Sequence, residues 1–453
     1  MHKSTLAIAV AVGLLAQQAS AAGFIEDSKA TLKLRNFYIN NDNRDSGTKA
    51  AGAQSKTEEW GQGFQLDFTS GFTQGTVGFG IDAIGLLGVK LDSSAGKHGN
   101  PNGANYGGSV FPSDGNHAVD DFSSLGLTAK AKVSQTELRI GTLQPKLPVI
   151  VSNDGRMLPQ TFQGGQITSS EFKDLTFTGG QIEHAKGRNS SNNEGLSIAG
   201  ANNSITGKFV NKFYYGGVDY KVNKDLLLQY YYGNLEDFYK QNFLGLVHNW
   251  SIGPGVLKSD LRYFNSTDDG KNGHDSAYYT TGDYANSSAG SGKGKVDNNL
   301  ISGLFLYTVE GHTFGGGYQV SNGSSDFPFL NQGDGASAYI PTDMQISKFA
   351  RAGERTWQAR YSYDFAKVGV PGLTAGAVYL RGDNIDTYNS KNVQTSNGSS
   401  EWERDITVAY VIQEGTLKNL GFMWKNAMWR NDIAGQRDQD ENRLIVSYSI
   451  PLL

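Results

Sequence analysis

The sequence predicts an all-β protein, an 18-stranded antiparallel transmembrane β-barrel with long extracellular loops, two of them folded into the lumen. Three observations predict it. Strand-like segments alternate apolar with polar residues, short turns alternate with long polar connections, and the composition is rich in glycine and aromatics with no cysteine. Among 453 residues there are 58 Gly, 22 Tyr, 23 Phe and 0 Cys, which rules out disulfides and thiol zinc sites. Lys+Arg 40 against Asp+Glu 44 leaves a net charge of -4, with no overall attraction to nucleic acid. A mean hydropathy of -0.43 excludes a bundle of membrane helices.

The N-terminus comes first. Met1, His2 and Lys3 precede an apolar run from Leu6 to Leu15, and the segment Gln17 to Ala21 offers small residues for cleavage. This pattern predicts a secretory signal peptide over residues 1–21 and a single barrel domain over 22–453. A membrane anchor needs about 20 apolar residues, and Gln17 and Gln18 cut the stretch short.

Period two marks the strands. Leu66 and Phe68 interleave with Gln65, Asp67 and Thr69, while Leu444, Val446, Tyr448 and Ile450 interleave with Arg443, Ser447 and Ser449. Short turns are expected at Ser70-Gly71, Ser134-Gln135, Lys173-Asp174, Asn223 to Asp225, Gly253 to Gly255, Glu310-Gly311, Val370 to Gly372 and Glu414 to Thr416. Long connections are expected near residues 41–58, 92–118, 146–168, 186–204, 233–240, 266–296, 321–354, 382–400 and 431–441. Eight turns and nine loops give eighteen strands, an even count that lets the sheet close in lipid. Aromatics such as Tyr214-Tyr215, Tyr230-Tyr231-Tyr232, Trp357, Trp424 and Trp429 are expected where strands meet the membrane interfaces.

A charged residue between apolar neighbours at i±1 points into the lumen. This rule aims Lys33, Arg35, Lys130, Lys132, Arg139, Arg262, Arg360, Lys425 and Arg443 inward. Arg404 shares parity with Trp402 and Ile406 and belongs at the rim; Arg381 and Arg430 have less definite parity, and Arg381 is counted with the inward set. Two connections, Leu143 to Gln166 and Phe327 to Arg355, combine Pro with apolar residues and are expected to fold into the barrel. They would bring Asp154, Arg156, Tyr339, Asp343 and Lys348 to a constriction. A line of guanidinium groups offers weak sites for a carboxylate, so small carboxylates are the expected solutes.

Catalytic motifs are weak. His98, His117 and His274 fall in polar loops, His312 at a short turn, and His184 and His248 near strand ends, without the close pairing of a two-histidine metal site. No Gly-x-Ser-x-Gly elbow occurs. Asp268-Asp269-Gly270 lacks the twelfth-position Glu of a calcium loop. No metal, cofactor or catalytic residue is expected.

The strings GFTQGTVGFGIDA from Gly71, RMLPQT from Arg156, SSEF from Ser169, SKFARAGERTWQARY from Ser347 and NRLIV from Asn442 resemble the OprD (Occ) family of outer-membrane carboxylate channels. The resemblance implies an eighteen-stranded barrel narrowed by its third and seventh loops, with a ladder of Arg and Lys opposite an acidic pocket. Arg35, Arg156, Arg360 and Arg443 sit in family-like motifs. Where the branch carrying basic amino acids pairs two arginines in a late strand, this chain has Met423 and Lys425. The strings from Glu58 to Phe64, Leu380 to Asp386 and Glu401 to Asp405 look closer to the OpdK-like branch, which implies monocarboxylates such as benzoate or vanillate.

The expectation is thus a passive porin of a Gram-negative outer membrane. Its path would run along Arg35, Arg139, Arg156, Arg262, Arg360, Arg381, Lys425 and Arg443. Its partners would be small carboxylates, outer-membrane lipid and lipopolysaccharide, with no nucleic acid, in a monomer or weak trimer. A barrel hydrolase and a channel for basic amino acids are the alternatives.

Overall fold

The computed structural model describes residues 23–44, 55–98, 109–115, 117–198, 209–273, 296–331, 337–388, 394–433 and 436–453, so the expected signal peptide and His274 lie outside the described residues. Eighteen strands form one sheet. In chain order they are β1 (Lys29–Asn43), β2 (Lys56–Thr69), β3 (Gly78–Asp92), β4 (Asp121–Val133), β5 (Thr136–Leu143) and β6 (Thr161–Ser169). Then come β7 (Leu175–Lys186), β8 (Phe213–Lys221), β9 (Leu226–Leu235), β10 (Tyr239–Ile252), β11 (Gly255–Asp268) and β12 (Asp297–Val309). The last are β13 (His312–Gly323), β14 (Arg355–Asp364), β15 (Leu373–Tyr388), β16 (Gln394–Val411), β17 (Gly421–Asn431) and β18 (Gln439–Pro451). Each strand pairs antiparallel with its chain neighbours. β18 then returns to β1 in register from Thr31 opposite Pro451 to Asn43 opposite Gln439. Closure leaves no edge, which is what hydrocarbon demands of a sheet.

All eight expected turn positions fall between strands, but three of the connections are longer than expected, residues 70–77, 365–372 and 412–420. Three long connections are shorter than their composition suggested. β6 begins at Thr161, inside the expected 146–168 loop. β9 and β10 are separated only by residues 236–238, and β15 runs to Tyr388 before β16 starts at Gln394. The antiparallel ladder runs on into these ends, from Thr161 opposite Lys186 and from Leu235 opposite Tyr239.

The outer face carries Leu125, Ile140, Leu244, Ile301 and Phe314, all exposed. Inside, the mouth is filled. One cluster packs Phe213, Tyr215, Tyr231, Phe243, Phe264 and Phe327, and a second packs Phe37, Ile39, Phe111, Phe122, Met157 and Leu158. Tyr215, Tyr231 and Trp429, expected at the membrane interfaces, are therefore inward and buried. Adjacent strand residues face opposite ways, so only one of two consecutive tyrosines can reach the interface: Tyr214 and Tyr230 are the exposed ones.

Glycine makes room for these rings. A Cβ on Gly217 would stand 2.3 Å from the buried Tyr231 ring and 2.4 Å from the Tyr230 carbonyl oxygen. Gly217→Val should cost about 1–3 kcal/mol. The expected outcome is a lower temperature for conversion of the folded, fast-migrating barrel to the unfolded band on a gel; an unchanged temperature would contradict the packing.

Candidate functional site

The third loop (residues 144–160) and the described parts of the seventh (324–331 and 337–354) enter the lumen, and inward side chains of the wall hold their backbone. Arginines take carbonyls. Arg35 Nη1 donates to the Arg156 carbonyl oxygen at 2.7 Å and to Asp154 Oδ1 at 2.7 Å. Arg443 bridges both loops, with Nη1 to the Gly155 oxygen at 3.3 Å and Nη2 to the Gln345 oxygen at 3.0 Å. Arg262 Nη1 donates to the Tyr339 oxygen at 3.1 Å, and Arg360 Nη2 to that of Pro341.

Acids take amides. Along β16 the inward row is Glu401, Glu403 and Asp405. Glu403 accepts from the backbone N–H groups of Ile346 at 2.8 Å and Ser347 at 2.7 Å, and Asp405 from Gln345 at 3.3 Å. Glu401 accepts from the Ser347 hydroxyl at 2.6 Å, Trp429 Nε1 at 2.5 Å and Arg351 Nε at 3.3 Å. Opposite signs on the wall thus capture opposite ends of the peptide dipole.

Between the loops and the wall lies a cavity of about 770 Å³. Its cations are Arg156, Arg188, Lys348, Arg360, Lys425 and Arg443, and its acids Asp343 and Asp405. Lys348 is paired with Asp343 at 3.0 Å and Arg443 with Glu441 at 2.5 Å. Lys425 is different. Among the described residues its ammonium makes no hydrogen bond and no ion pair. It also stands directly opposite Arg443 on the neighbouring strand. Arg156 reaches Glu441 only at 3.6 Å, and its Nε and Nη1 have no hydrogen-bond acceptor. Like charges opposite one another weaken a sheet, and Lys425, unlike Arg443, holds neither loop in return.

The expected ladder divides into separate groups. Arg156, Arg360, Lys425 and Arg443 line the cavity. Arg35 and Arg262 are inward but occupied as loop holders, Arg262 also by Asp260 at 2.7 Å. Arg139 is inward, bonded to Glu137 at 2.5 Å, in a separate cavity of about 420 Å³. Arg381 is a correction. It pairs across strands with Trp357 and Trp402 on the outer face and bonds Asp383 at 3.0 Å, while the inward neighbour is the buried Leu380. The parity rule fails there because Leu380 itself is apolar and inward, packed on Trp429 under the seventh loop. Arg404, as its parity indicated, bonds the side chain of Asn426 instead of a lumen group.

Of the loop residues, Asp343 and Lys348 face the cavity. Asp154 is a clasp for Arg35, half exposed. Tyr339 does not line the constriction: Arg262 lies 4.1 Å above its ring and Phe243 meets it edge-on. Arg188 in the fourth loop and the acidic row of β16 escaped the sequence reading. The row has a signal, Glu401-x-Glu403-x-Asp405 at the period of one strand face. His98, expected in a polar loop, is buried, with Nδ1 2.7 Å from Glu59 Oε1 and Nε2 2.7 Å from the Ser113 hydroxyl. Glu59 also accepts from the Val110 N–H at 2.8 Å, so this relay fastens the second loop.

The chain matches the outer membrane porin, OprD family, over residues 22–452. It belongs to the OprD family. It is 60% identical to OccK8 (OprE) of Pseudomonas aeruginosa, covering 95% of this chain and 100% of that one with a TM-score of 0.82. The structure of OpdK from the same organism, solved with vanillate, is 34% identical over 95% of this chain and 100% of that one, with a TM-score of 0.80. The porin-like protein GalP of Pseudomonas putida is 36% identical over 451 residues, 99% of this chain and 97% of that one. As an OprD-family porin the protein is an outer-membrane channel for small solutes and not an enzyme.

In this porin the seventh loop closes on a buried acid cluster. Asp326 Oδ1 accepts from the Ala352 N–H at 2.9 Å, and Glu354 Oε2 from the Arg351 N–H at 2.9 Å. Burial pushes the Asp326 carboxyl up to about 7, against the pull of Arg351, and burial with the nearby Glu401 raises Glu354. A raised carboxyl favours the docked loop while protonated, and that contribution is lost as pH climbs from about 4 to about 7. The expected outcome is faster proteolytic cleavage within the seventh loop as pH rises across this window, with a flatter profile in Asp326→Asn. Cleavage rates independent of pH in the unsubstituted protein would contradict the assignment.

Proposed function

We propose that the protein carries small monocarboxylates, of the benzoate or vanillate type, passively across the outer membrane through the 770 Å³ cavity. The observation that carries this reading is Lys425, an unpartnered ammonium set opposite Arg443 in a cavity shared with Arg156 and Arg360. A carboxylate entering there meets Lys425, which the fold has not used up, beside the loop-holding Arg443, and relief of their mutual repulsion favours its binding. The vanillate in OpdK, a relative of 34% identity, supports the same solute class. A cationic amino-acid side chain would meet the opposite field, and so is the less favoured cargo. Binding stays weak enough for release because Glu441 and Asp405 stand beside the same cations.

The test is single-channel conductance in a planar bilayer with benzoate and then arginine added to chloride. Benzoate should produce brief blockades, and Lys425→Gln should weaken its binding roughly tenfold, the loss of about one charge-assisted hydrogen bond. Arg381→Ala, on the outer face, should leave the blockades unchanged. Blockade by arginine alone, or benzoate blockade insensitive to Lys425→Gln, would overturn the reading. Export with removal of residues 1–21 belongs to the same proposal, and N-terminal sequencing of membrane-inserted protein should begin at Ala22.

A further inference from the structure

A second cation lies apart from this cavity. Lys186 is the last residue of β7, at its extracellular end opposite Thr161, and is only 4% exposed. Two other lumen lysines have found acids: Lys33 pairs with Asp67 at 2.7 Å, and Lys130 with Asp82 at 2.7 Å. Among the described residues Lys186 makes no hydrogen bond and no ion pair. It borders a cavity of about 170 Å³ whose other polar lining, including Ser123, Ser124, Thr142, Thr161 and Gln163, is hydroxyls and amides without a carboxylate. A buried ammonium needs a counter-charge. Neutral donors around it suit a small monovalent anion or the head of a carboxylate.

The cavity also leads somewhere. It shares Ile84 and Thr142 with the cavity of about 420 Å³ that contains Arg139. That one shares Arg139 and Gln166 with a third of about 380 Å³, which includes Lys132 and reaches Gln135 in the periplasmic turn between β4 and β5. None of these three shares a lining residue with the main cavity.

We propose that Lys186 is the entry station of a second anion path, parallel to the carboxylate path, running past Arg139 to Lys132 at the periplasmic end. The path takes chloride or a carboxylate head; its existence does not depend on which acid the main cavity carries. The carboxylates in the two lower cavities, Asp67, Asp82 and Glu137, are each paired with a cation, Lys33, Lys130 and Arg139, so the positive charge of Lys186 and Lys132 at the two ends is left uncompensated by them.

The experiment is the reversal potential in a potassium chloride gradient at low ionic strength, with benzoate blockade recorded in the same channels. Lys186→Gln should lower the chloride-to-potassium permeability ratio by roughly twofold while benzoate blockades stay as in the unsubstituted protein. Lys186→Arg should restore the ratio, which separates lost charge from a misfolded barrel. An unchanged ratio in Lys186→Gln overturns the proposal. So does a fall matched by an equal loss of benzoate blockade, which would put Lys186 on the main path. Replacing chloride by acetate distinguishes the two occupants: a larger fall in one anion's permeability identifies the one held at Lys186. If the unsubstituted channel shows no benzoate blockade at all, the reading of the main cavity fails, while the permeability ratio still decides for Lys186.

Discussion

The structure depends on one constraint: a loop that folds into a barrel brings its peptide groups out of water, and the wall must supply their partners. Lumen-facing side chains of an antiparallel sheet come at every second residue, so a strand can offer a row of like groups at a fixed spacing. β16 uses this row for Glu401, Glu403 and Asp405, which receive the amides of residues 345–347. Arg262, Arg360 and Arg443 take the carbonyls of Tyr339, Pro341 and Gln345. The seventh loop is therefore clamped largely through its backbone, with the Ser347 and Arg351 side chains adding bonds to Glu401.

Selectivity is what remains after that clamping. An arginine has five donors, and loop holding with one acid partner consumes only some of them. Arg443 gives Nε to Glu441 and one nitrogen to each loop, yet still lines the cavity. Lysine at 425 has no such structural task. The distinction separates residues that make the channel from residues that make it choose, although both types look alike as basic positions in a strand.

The barrel was legible because its rules are local. Turn chemistry and period-two alternation located the eight turns at one end of the barrel and most inward cations, since each depends on residues within a few positions. The loop clasps were not legible for the opposite reason. Arg443 meets Gly155 and Gln345, hundreds and about a hundred positions away, and no spacing encodes such a meeting. Arg381 shows where local parity breaks down: Leu380 is apolar yet inward, because a loop from elsewhere in the chain covers it. Tyr339 makes the same point, since its place is set by Arg262 on β11.

The sequence does contain a trace of how strongly the cations act. Glu137-x-Arg139, Asp260-x-Arg262, Gln358-x-Arg360 and Glu441-x-Arg443 each put an acceptor two residues before an arginine, hence on the same face, and all four pairs are bonded. An acceptor at that distance fixes the guanidinium, and in the three pairs where it is a carboxylate it also mutes the charge, so that those arginines do not hold an anion tightly. A channel must bind its solute at several points and trap it at none. Repeating one muted pair around the wall satisfies both conditions, and leaves the stronger attraction to the positions where the repeat is absent, Lys425 and Lys186.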